Sequence, residues 1–387
     1  MTLLRGYADD LPLHEWLNEW IFPLEAKLNE NDVYVGAKLA AVESTLSGVT
    51  CLDTMYHHMN KEAEAISEVG IRGIVGHVCF SSRKEEDRKA TRELVKNWHN
   101  KAGGLTRVSI DPHAVYTVDP GYFQELKILK DELNEKHGTP GAPVIWHVHT
   151  AETPDEMQKA KEAVKTWNRM GIDVKDADFD QGVFEYLNSL GVLGPDVMAA
   201  HCVSLTSRDM QIMSEKNIKV AHNPVSNLKL ASGISPLPKL LDANITVGLG
   251  TDGACSNNIL DIFETMKIAA LLHKGISSDP TVIPAKTALR MATIDGAKAL
   301  LWDNEIGSLE IGKKADIVIV DINKPHLTPL YDEFSHLAYA VHGSDVETTI
   351  ANGKIIVENR KVQTVDIHKL MEEVVRVRDD ILSRLEK

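Results

Sequence analysis

Short apolar runs alternate with helix-like segments along most of the chain, and this alternation constrains the fold more than any other feature. Seven strand-like runs lie at residues 49–53, 71–80, 106–110, 144–149, 197–200, 219–221 and 246–250. Between them lie segments with helical periodicity, and two more helices are predicted at 11–28 and 32–47. Strands that alternate with helices predict an α/β protein, in which a parallel sheet is covered by helices.

Polar side chains recur where these strands end. The strand at 144–149 turns His147 and His149 to one face, and Glu152 follows within one turn. Other strand ends carry His113, His201 and Asp252. Because (β/α)8 enzymes keep their chemistry at the carboxyl ends of the strands, we expect a closed TIM-type barrel rather than an open sheet. The alternative at this point is a core strand with two hydrogen-bonded histidines.

The strand count leaves the predicted barrel one strand short. A (β/α)8 barrel has eight strands, whereas this sequence shows seven and opens with a helix. We therefore expect the first barrel strand to be missing from this chain and to precede Met1. The unpaired edges near 49–53 and 246–250 should then promote association.

The pattern changes after residue 301. Residues 306–320 predict a strand, a turn and a strand, and residues 348–358 predict a hairpin with a tight turn at Asn352 and Gly353. A closing helix is predicted at 367–385. The expected domains are therefore an α/β barrel at 1–303, a small separate β-domain at 304–365 and a carboxyl-terminal helix at 366–387.

Composition excludes several classes of protein. The 387 residues are 43% hydrophobic and carry a net charge of −14, which argues against nucleic acid or an anionic membrane as a partner. The four cysteines show no Cys-x-x-Cys spacing, so neither a disulfide framework nor a thiolate zinc site is expected. No apolar run is long enough to span a bilayer, and no signal peptide is visible. We expect a cytoplasmic protein that forms a homo-oligomer.

Five segments carry a resemblance to a known family. They are 3–10 (LLRGYADD), 112–117 (PHAVYT), 147–153 (HVHTAET), 222–233 (HNPVSNLKLASG) and 250–253 (GTDG). Together they resemble the amidohydrolase superfamily, and within it the deaminases of S-adenosylhomocysteine, methylthioadenosine and 5′-deoxyadenosine. The resemblance covers nearly the whole chain, and residues 307–321 resemble the small β-sandwich of that superfamily.

The resemblance implies one divalent metal, with zinc as the first expectation and iron as the second. In the family the ligands are a His-x-His on strand one, a His on strand five and an Asp on strand eight, which here implies His149 and Asp252. The strand-one His-x-His is absent from this sequence. A rival assignment takes His147 and His149 as the paired ligands, with His201 and Asp252. We disfavour it, because only three strands follow His149 whereas seven should follow a strand-one motif.

The implied reaction is hydrolytic deamination at C6 of an adenosine-type nucleoside, which gives an inosine-type product and ammonia. The resemblance makes Asp252 the general base, Glu152 the proton donor to the purine ring and His201 the group that steadies the attacking hydroxide. It places Glu25 on the ribose hydroxyls and His113 on the substrate. Two alternatives remain open: hydrolysis of another aromatic ring such as guanine or a triazine, and a non-catalytic remnant that binds nucleosides.

Three further features have less specific readings. The adjacent His57 and His58 predict a loop rather than a metal pair, because neighbouring side chains diverge. His222 is expected to brace its loop with Asn223 and Asn227. The charged run at 83–89 predicts either a solvated helix start or an Arg that binds an amino-acid carboxylate on the 5′ substituent, and the sequence does not decide between them.

Overall fold

Seven parallel strands form one sheet in which the spatial order follows the chain order. The computed structural model describes residues 1–174 and 177–385. The strands are β1 (Cys51–Tyr56), β2 (Arg72–Cys79), β3 (Thr106–Pro112), β4 (Ile145–Thr150), β5 (Val197–His201), β6 (Lys219–His222) and β7 (Thr246–Leu249). The seven predicted strands are confirmed. Within the described residues β1 pairs with β2 alone and β7 with β6 alone, so these two strands are the edges of the sheet.

Helices follow most of the strands, as the alternation predicted. They are α1 (Leu13–Glu15), α2 (Phe22–Glu25), α3 (Glu30–Leu46), α4 (Met59–Val69), α5 (Lys84–Trp98), α6 (Pro120–His137), α7 (Glu156–Arg169), α8 (Val183–Ser189), α9 (Ser207–Glu215), α10 (Pro224–Lys229), α11 (Leu237–Asp242), α12 (Ile262–Ser277), α13 (Ala285–Ala292), α14 (Ile294–Ala299), α15 (Glu333–Tyr339) and α16 (Ile367–Leu385). The helix predicted at 11–28 is confirmed over residues 13–25, where α1, a π-helical segment, Trp16–Ile21, and α2 follow one another without a break. No helix in the described part of the chain has both the length and the apolar character needed to cross a membrane.

Side chains that cap the helices explain where several of them begin. Asn29 accepts hydrogen bonds from the amides of Asn31 and Asp32, while Asp32 accepts the amide of Asn29, which forms a capping box at α3. At α6, Asp119 accepts the amide of Tyr122, and Pro120 occupies the first turn. These caps satisfy amides that otherwise have no partner within the helix.

The side chains of β4 alternate between the helical layer and the interior of the sheet. Trp146 is buried and stacks on Phe123 of α6, with ring centroids 6.3 Å apart. His147 and His149 point the other way and line the interior cavity. The two-residue period of a strand therefore directs both imidazoles inward, as the sequence predicted.

A buried tryptophan fills the end of the sheet that lies away from these histidines. Trp302 is fully buried and packs with Ile74, Ile145 and Ile306. The guanidinium of Arg107 lies 4.0 Å from the centroid of the Trp302 ring. This contact combines apolar burial with a cation–π interaction and closes one end of the interior.

A second, antiparallel sheet follows the parallel one. Its strands are β8 (Ile317–Val320), β9 (Val346–Ala351), β10 (Lys354–Glu358) and β11 (Lys361–Val362), in the order β11-β10-β9-β8. The predicted hairpin is confirmed: Asn352 and Gly353 have φ values of 50° and 76°, as a type I′ turn requires. Side chains of this sheet and of α16 join the same hydrophobic core as the parallel sheet. The last two residues of the predicted 366–387 helix lie outside the described residues.

The strand predicted in the first half of 306–320 is wrong. Ile306 packs on Trp302, and its amide donates to the Trp302 carbonyl in a turn. Gly307 then takes a φ of 90°, where a Cβ would lie 2.6 Å from that of Ala297. The chain therefore bends against α14 at this point, and β8 begins only at Ile317.

Gly76 on β2 leaves room for the carboxylate of Asp111 on β3. A Cβ at Gly76 would lie 1.7 Å from Asp111 Oδ2, and Asp111 is fully buried. We expect Gly76→Ala to lower the free energy of unfolding by about 1–3 kcal/mol, as overpacking does in closely packed interiors. Denaturant unfolding measures the change. The matched control is Gly275→Ala on α12, where a new Cβ meets no atom within 4 Å. Equal stability of the two variants would contradict this view of the interior.

Candidate active site

One interior cavity brings together all six residues singled out from the sequence. Its volume is about 770 Å³, and residues from β1, β4, β5, β7 and the amino-terminal helices line it. The six residues on its wall are Glu25, His113, His149, Glu152, His201 and Asp252. They are far apart in sequence and converge because parallel strands place their carboxyl ends at one edge of the sheet.

His149 and His201 face each other across the ends of β4 and β5. His149 Nδ1 lies 3.1 Å from His201 Nε2, and His201 Nδ1 lies 2.9 Å from Asn227 Oδ1. The Asn227 oxygen accepts the proton on His201 Nδ1, so His201 Nε2 accepts from His149 Nδ1. Burial, reinforced by His113 and His201, lowers the pKa of His149 well below its ordinary value. Both rings are therefore held in a fixed orientation, and His149 is neutral.

The backbone is strained where these side chains leave the strands. His201 and Cys202 have φ values of 74° and 50°, Ala151 has 50° and Asp252 has 62°. Non-glycine residues rarely adopt such values, and such strain concentrates at functional sites. The strained positions at the ends of β4, β5 and β7 therefore coincide with the cavity wall.

Glu152 is a buried carboxyl group beside this imidazole pair. Burial raises its pKa, His201 acts in the opposite direction, and Asp252 adds to the increase. The Glu152 amide donates to Glu156 Oε2 at 2.8 Å, which fixes the start of α7. A carboxyl group with a raised pKa can carry a proton to a substrate at a pH where an exposed glutamate cannot.

Asp252 is held by hydrogen bonds on both of its oxygens. Oδ2 accepts from the hydroxyls of Ser226 and Ser256 at 2.6 and 2.9 Å, and Oδ1 accepts from the amide of Gly253 at 2.7 Å. These bonds fix the orientation of the carboxylate at the end of β7. A fixed carboxylate next to an imidazole pair is suited to bind a cation or to accept a proton.

Glu25 and His113 occupy another part of the same wall. Tyr56 donates to Glu25 Oε1 at 2.7 Å, and burial raises the pKa of Glu25 although this bond opposes the increase. His113 Nδ1 lies 2.9 Å from the Thr117 hydroxyl, which itself donates to the Ala114 carbonyl. His113 Nδ1 is therefore the donor, and Nε2 stays an acceptor. Burial lowers the pKa of His113 to about 4, with His201 adding to the effect.

A continuous row of aromatic rings runs along the cavity. The centroid separations are 5.2 Å for His201 and His149, 5.2 Å for His149 and His113, 4.8 Å for His113 and Phe80, and 6.2 Å for Phe80 and His57. We call these five side chains the ring row. It runs from the imidazole pair to the loop after β1, and we call the end at His149 and His201 the inner end and the end at Phe80 and His57 the outer end.

His147 lies apart from the imidazole pair. Its Nδ1 is 3.4 Å from Asp53 Oδ2 on β1, and its ring centroid is 6.1 Å from that of His149. Burial opposes protonation of His147, but Asp53, with Asp111 and Asp252 adding to it, outweighs burial and raises the pKa of His147 to about 9. The sequence reading did not identify Asp53 or Asp111, although both lie on strands with an inward register.

Neutral imidazoles and fixed carboxylates are donor groups that zinc accepts, and the cavity wall carries both in His149 and Asp252. Within residues 1–174 and 177–385, however, no group of three or more His, Cys, Asp or Glu side chains is arranged to hold a metal ion. The described residues therefore supply part of a metal site and do not complete one.

The expected role of His222 is wrong. Its ring lies 5.7 Å from that of His273 on α12, and neither ring nitrogen has a hydrogen-bond partner within the described residues. Asn227 binds His201 instead. His222 therefore packs β6 against α12, whereas Asn227, expected beside His222, orients His201 of the cavity instead.

A family model and curated relatives match this chain over most of its length. The model of the amidohydrolase family matches residues 1–356, and the chain belongs to that family. A 5-methylthioadenosine/S-adenosylhomocysteine deaminase of Thermoanaerobacter pseudethanolicus is 42% identical over 99% of this chain and 84% of that protein. A 5′-deoxyadenosine deaminase of Methanosarcina acetivorans is 41% identical over the same shares.

Solved structures show the same architecture. An adenosine deaminase from Xanthomonas campestris with bound zinc superposes with a TM-score of 0.88 and 33% identity, over 99% of this chain and 83% of that chain. A zinc complex of an atrazine chlorohydrolase variant from Arthrobacter aurescens gives a TM-score of 0.85 at 19% identity, over 97% of this chain and 85% of that chain. At that identity the second similarity concerns the fold alone.

Proposed function

We propose that this protein hydrolytically deaminates adenosine-type nucleosides such as 5′-deoxyadenosine, methylthioadenosine and S-adenosylhomocysteine. The observation that carries the proposal is the single cavity on whose wall Glu152, His201 and Asp252 lie together with Glu25 and His113. A proton donor and a fixed carboxylate suit the purine ring, and a carboxylate that accepts hydrogen bonds suits ribose hydroxyls. The names of the relatives from Thermoanaerobacter and Methanosarcina support the same substrate class.

Each side chain has a defined task in this reaction. Asp252 takes the proton of the water that attacks C6. Hydrogen bonds from the hydroxyls of Ser226 and Ser256 fix the orientation of its carboxylate. Glu152 donates a proton to purine N1, so that negative charge does not build up on the ring. His201, whose ring is oriented by Asn227, holds the attacking hydroxide and steadies the tetrahedral intermediate. Ammonia leaves, and an inosine-type product remains.

The seven strands are proposed to be strands two to eight of an eight-stranded barrel, with a further strand between β1 and β7. Three observations support this. Leu52 and Thr54 of β1 and Gly248 of β7 line the same cavity although the two strands do not pair. Asp53 Oδ1 and Thr54 Oγ1 are buried without a hydrogen-bond partner in the described residues. The TM-score of 0.88 to a zinc-bound deaminase is consistent with this arrangement.

The proposed strand also completes the metal site. His149 and Asp252 would be two of the ligands of one divalent ion, zinc first and iron second, and two imidazoles of the added strand would be the others. When bound, such an ion lowers the pKa of a water molecule and so supplies hydroxide at neutral pH. Asp53 would accept the second ring N–H of an added imidazole, as carboxylates around metal-bound histidines do.

Metal content tests the proposed ligands. The chain completed with the added strand should bind about one divalent ion, whereas His149→Ala or Asp252→Ala should remove most of it, since zinc sites need at least three protein ligands. Elemental analysis of dialysed protein measures the occupancy. His137→Ala on α6, outside the cavity, is the matched control. Full occupancy in both ligand variants would refute the assignment.

The ribose contact separates this proposal from hydrolysis of another aromatic ring. If Glu25 holds the ribose hydroxyls, Glu25→Gln should raise KM for a nucleoside by about tenfold, the effect of losing roughly 1.4 kcal/mol of hydrogen bonding to a charged group. KM for a free base should stay the same. Steady-state kinetics with nucleosides, guanine and a triazine measure both. Turnover of free bases without turnover of nucleosides would favour the alternative function.

Three expectations stay predictions: the cytoplasmic location, the homo-oligomer and the division into domains at 1–303, 304–365 and 366–387. The remnant hypothesis also stays open, and its distinguishing result is nucleoside binding without deamination in the completed chain.

A further inference from the structure

We propose that the cavity selects nucleosides whose 5′ substituent is uncharged, such as a methyl or methylthio group, over those with an amino-acid tail. The inference rests on the proposed function and concerns the outer end of the same cavity. It names Asp87 as a specificity determinant that the sequence reading did not identify, because Asp87 balances the charge of the nearest arginine.

The ring row defines where the 5′ substituent lies. The reacting purine belongs at the inner end, beside His149 and Glu152. The ribose belongs next, beside Glu25 and His113. Because the base is attached to C1′ and the 5′ carbon to C4′, with the ring oxygen between them, the 5′ substituent extends beyond the ribose to the outer end, where Phe80 and His57 end the row.

The walls at this outer end are apolar. Phe22 packs edge-on against both Phe80 and His113, with centroids 6.3 and 6.4 Å apart. Leu13 and Trp16 are buried and line the same cavity. A methyl or methylthio group would leave water and bury its surface against these side chains. The free energy of such burial is favourable by about 25 cal/mol for each Å² of apolar surface covered.

The cationic groups of the cavity wall already face carboxylates. Among the described residues that line it there is no lysine and no arginine, protonated His147 lies 3.4 Å from Asp53, and the amino terminus of Met1 acts on Glu25. Burial lowers the pKa of His57 to about 3, with Arg83 adding to the effect, so the last imidazole of the row is neutral. An amino-acid carboxylate would therefore lose its water without gaining an opposite charge.

Arg83 is the cation that contacts the outer end, and the carboxylate of Asp87 balances its positive charge. The Arg83 guanidinium lies 5.2 Å from the centroid of Phe80, and Nη2 lies 3.4 Å from His57 Nδ1 and 3.6 Å from Asp87 Oδ1. Asp87 is 2% exposed, and its oxygens contact His77 Nε2 at 3.0 Å and the Phe80 amide at 2.8 Å. Asp87 is thus committed to its protein partners and is not free to bind an ammonium group.

The rest of the charged run at 83–89 faces other partners. Lys84 lies 2.8 Å from Asp119, and Arg88 lies 2.7 Å from Glu125. These pairs anchor α5 to α6 rather than to the cavity. The sequence left two interpretations of residues 83–89 open. These ion pairs favour a helix start over a carboxylate-binding site.

Binding measured by isothermal titration calorimetry on residues 1–387 tests the inference without requiring turnover. 5′-Deoxyadenosine and methylthioadenosine should bind at least about tenfold more tightly than S-adenosylhomocysteine. 5′-Butylthioadenosine, whose tail is long but uncharged, should bind like methylthioadenosine, which separates charge from size. Absence of binding by all four ligands would contradict the proposed function itself. Tight binding of S-adenosylhomocysteine would contradict only this inference.

Two variants test whether the Asp87 carboxylate causes the selectivity against a charged 5′ substituent. Asp87→Asn should tighten binding of S-adenosylhomocysteine by about tenfold, because Arg83 then presents an unbalanced charge, and should change binding of 5′-deoxyadenosine less than about threefold. Asp131→Asn, exposed on α6, is the matched control. Arg83→Gln, at a half-exposed position, should leave S-adenosylhomocysteine binding within about threefold. A tenfold loss in Arg83→Gln would overturn the inference, because it would make Arg83 a carboxylate anchor.

Discussion

Glu152→Gln should lower kcat by about two to four orders of magnitude while nucleoside binding persists. The substitution keeps the size of the side chain and removes the proton that general acid catalysis needs. Burial raises the pKa of Glu152, so the protonated form that donates to purine N1 is available closer to neutral pH. Single-turnover deamination in the completed chain, together with calorimetric nucleoside binding, measures the two effects separately.

The pH profile gives this variant a signature that misfolding would not produce. Protonated Glu152 is lost as the pH rises through its raised pKa, so kcat should fall on the alkaline side in the unmodified protein. That limb should disappear in Glu152→Gln. Glu162→Gln, exposed on α7, the helix that follows Glu152, is the matched control and should keep both rate and profile. Activity of Glu152→Gln within a few fold of the unmodified protein would exclude Glu152 as the acid.

Adding a strand with a His-x-His sequence before residue 1 should raise both the solubility and the deaminase activity of residues 1–387. Unpaired backbone groups on the edges of β1 and β7 promote pairing with other chains, and a strand between them would remove both edges. The same addition would bring two imidazoles to His149 and Asp252. Light scattering, metal content and ammonia release measure the three consequences.

A matched strand with both histidines replaced by alanine separates packing from chemistry. It should restore solubility, because it fills the same gap, but neither metal binding nor turnover. A soluble, metal-loaded and active protein consisting of residues 1–387 alone would contradict this prediction. It would instead support the rival assignment with His147 as a ligand.

Local sequence patterns were sufficient for the strands and for the core of the site. Each of β1 to β7 is a short apolar run, and burial on both faces makes such runs visible. His149 and Glu152 could be singled out because they end a strand and open a helix. The patterns did not show contacts with partners that are distant in sequence. Asn227 meets His201, and Asp87 meets His77 and Arg83, only once strands and helices have packed.

Hydrophobic periodicity did not predict the irregular segments. The π-helical turn at Trp16–Ile21 has the apolar spacing of an ordinary helix, so the sequence predicted one. The apolar residues at 306–311 resemble a strand, but Gly307 bends against α14 and Ile306 fills the space beside Trp302. Glu25 was identified through the family resemblance alone, since a glutamate in a short helix carries no signal of its burial against Tyr56.

The most direct test of the central claim is the reaction of the completed chain with 5′-deoxyadenosine. Ammonia should be released in equal amount to the nucleoside consumed, and chromatography with mass spectrometry should identify the product as 5′-deoxyinosine, with the sugar and the 5′ carbon unchanged. Release of free adenine, or metal-loaded protein that binds the nucleoside and leaves it intact, would contradict the account.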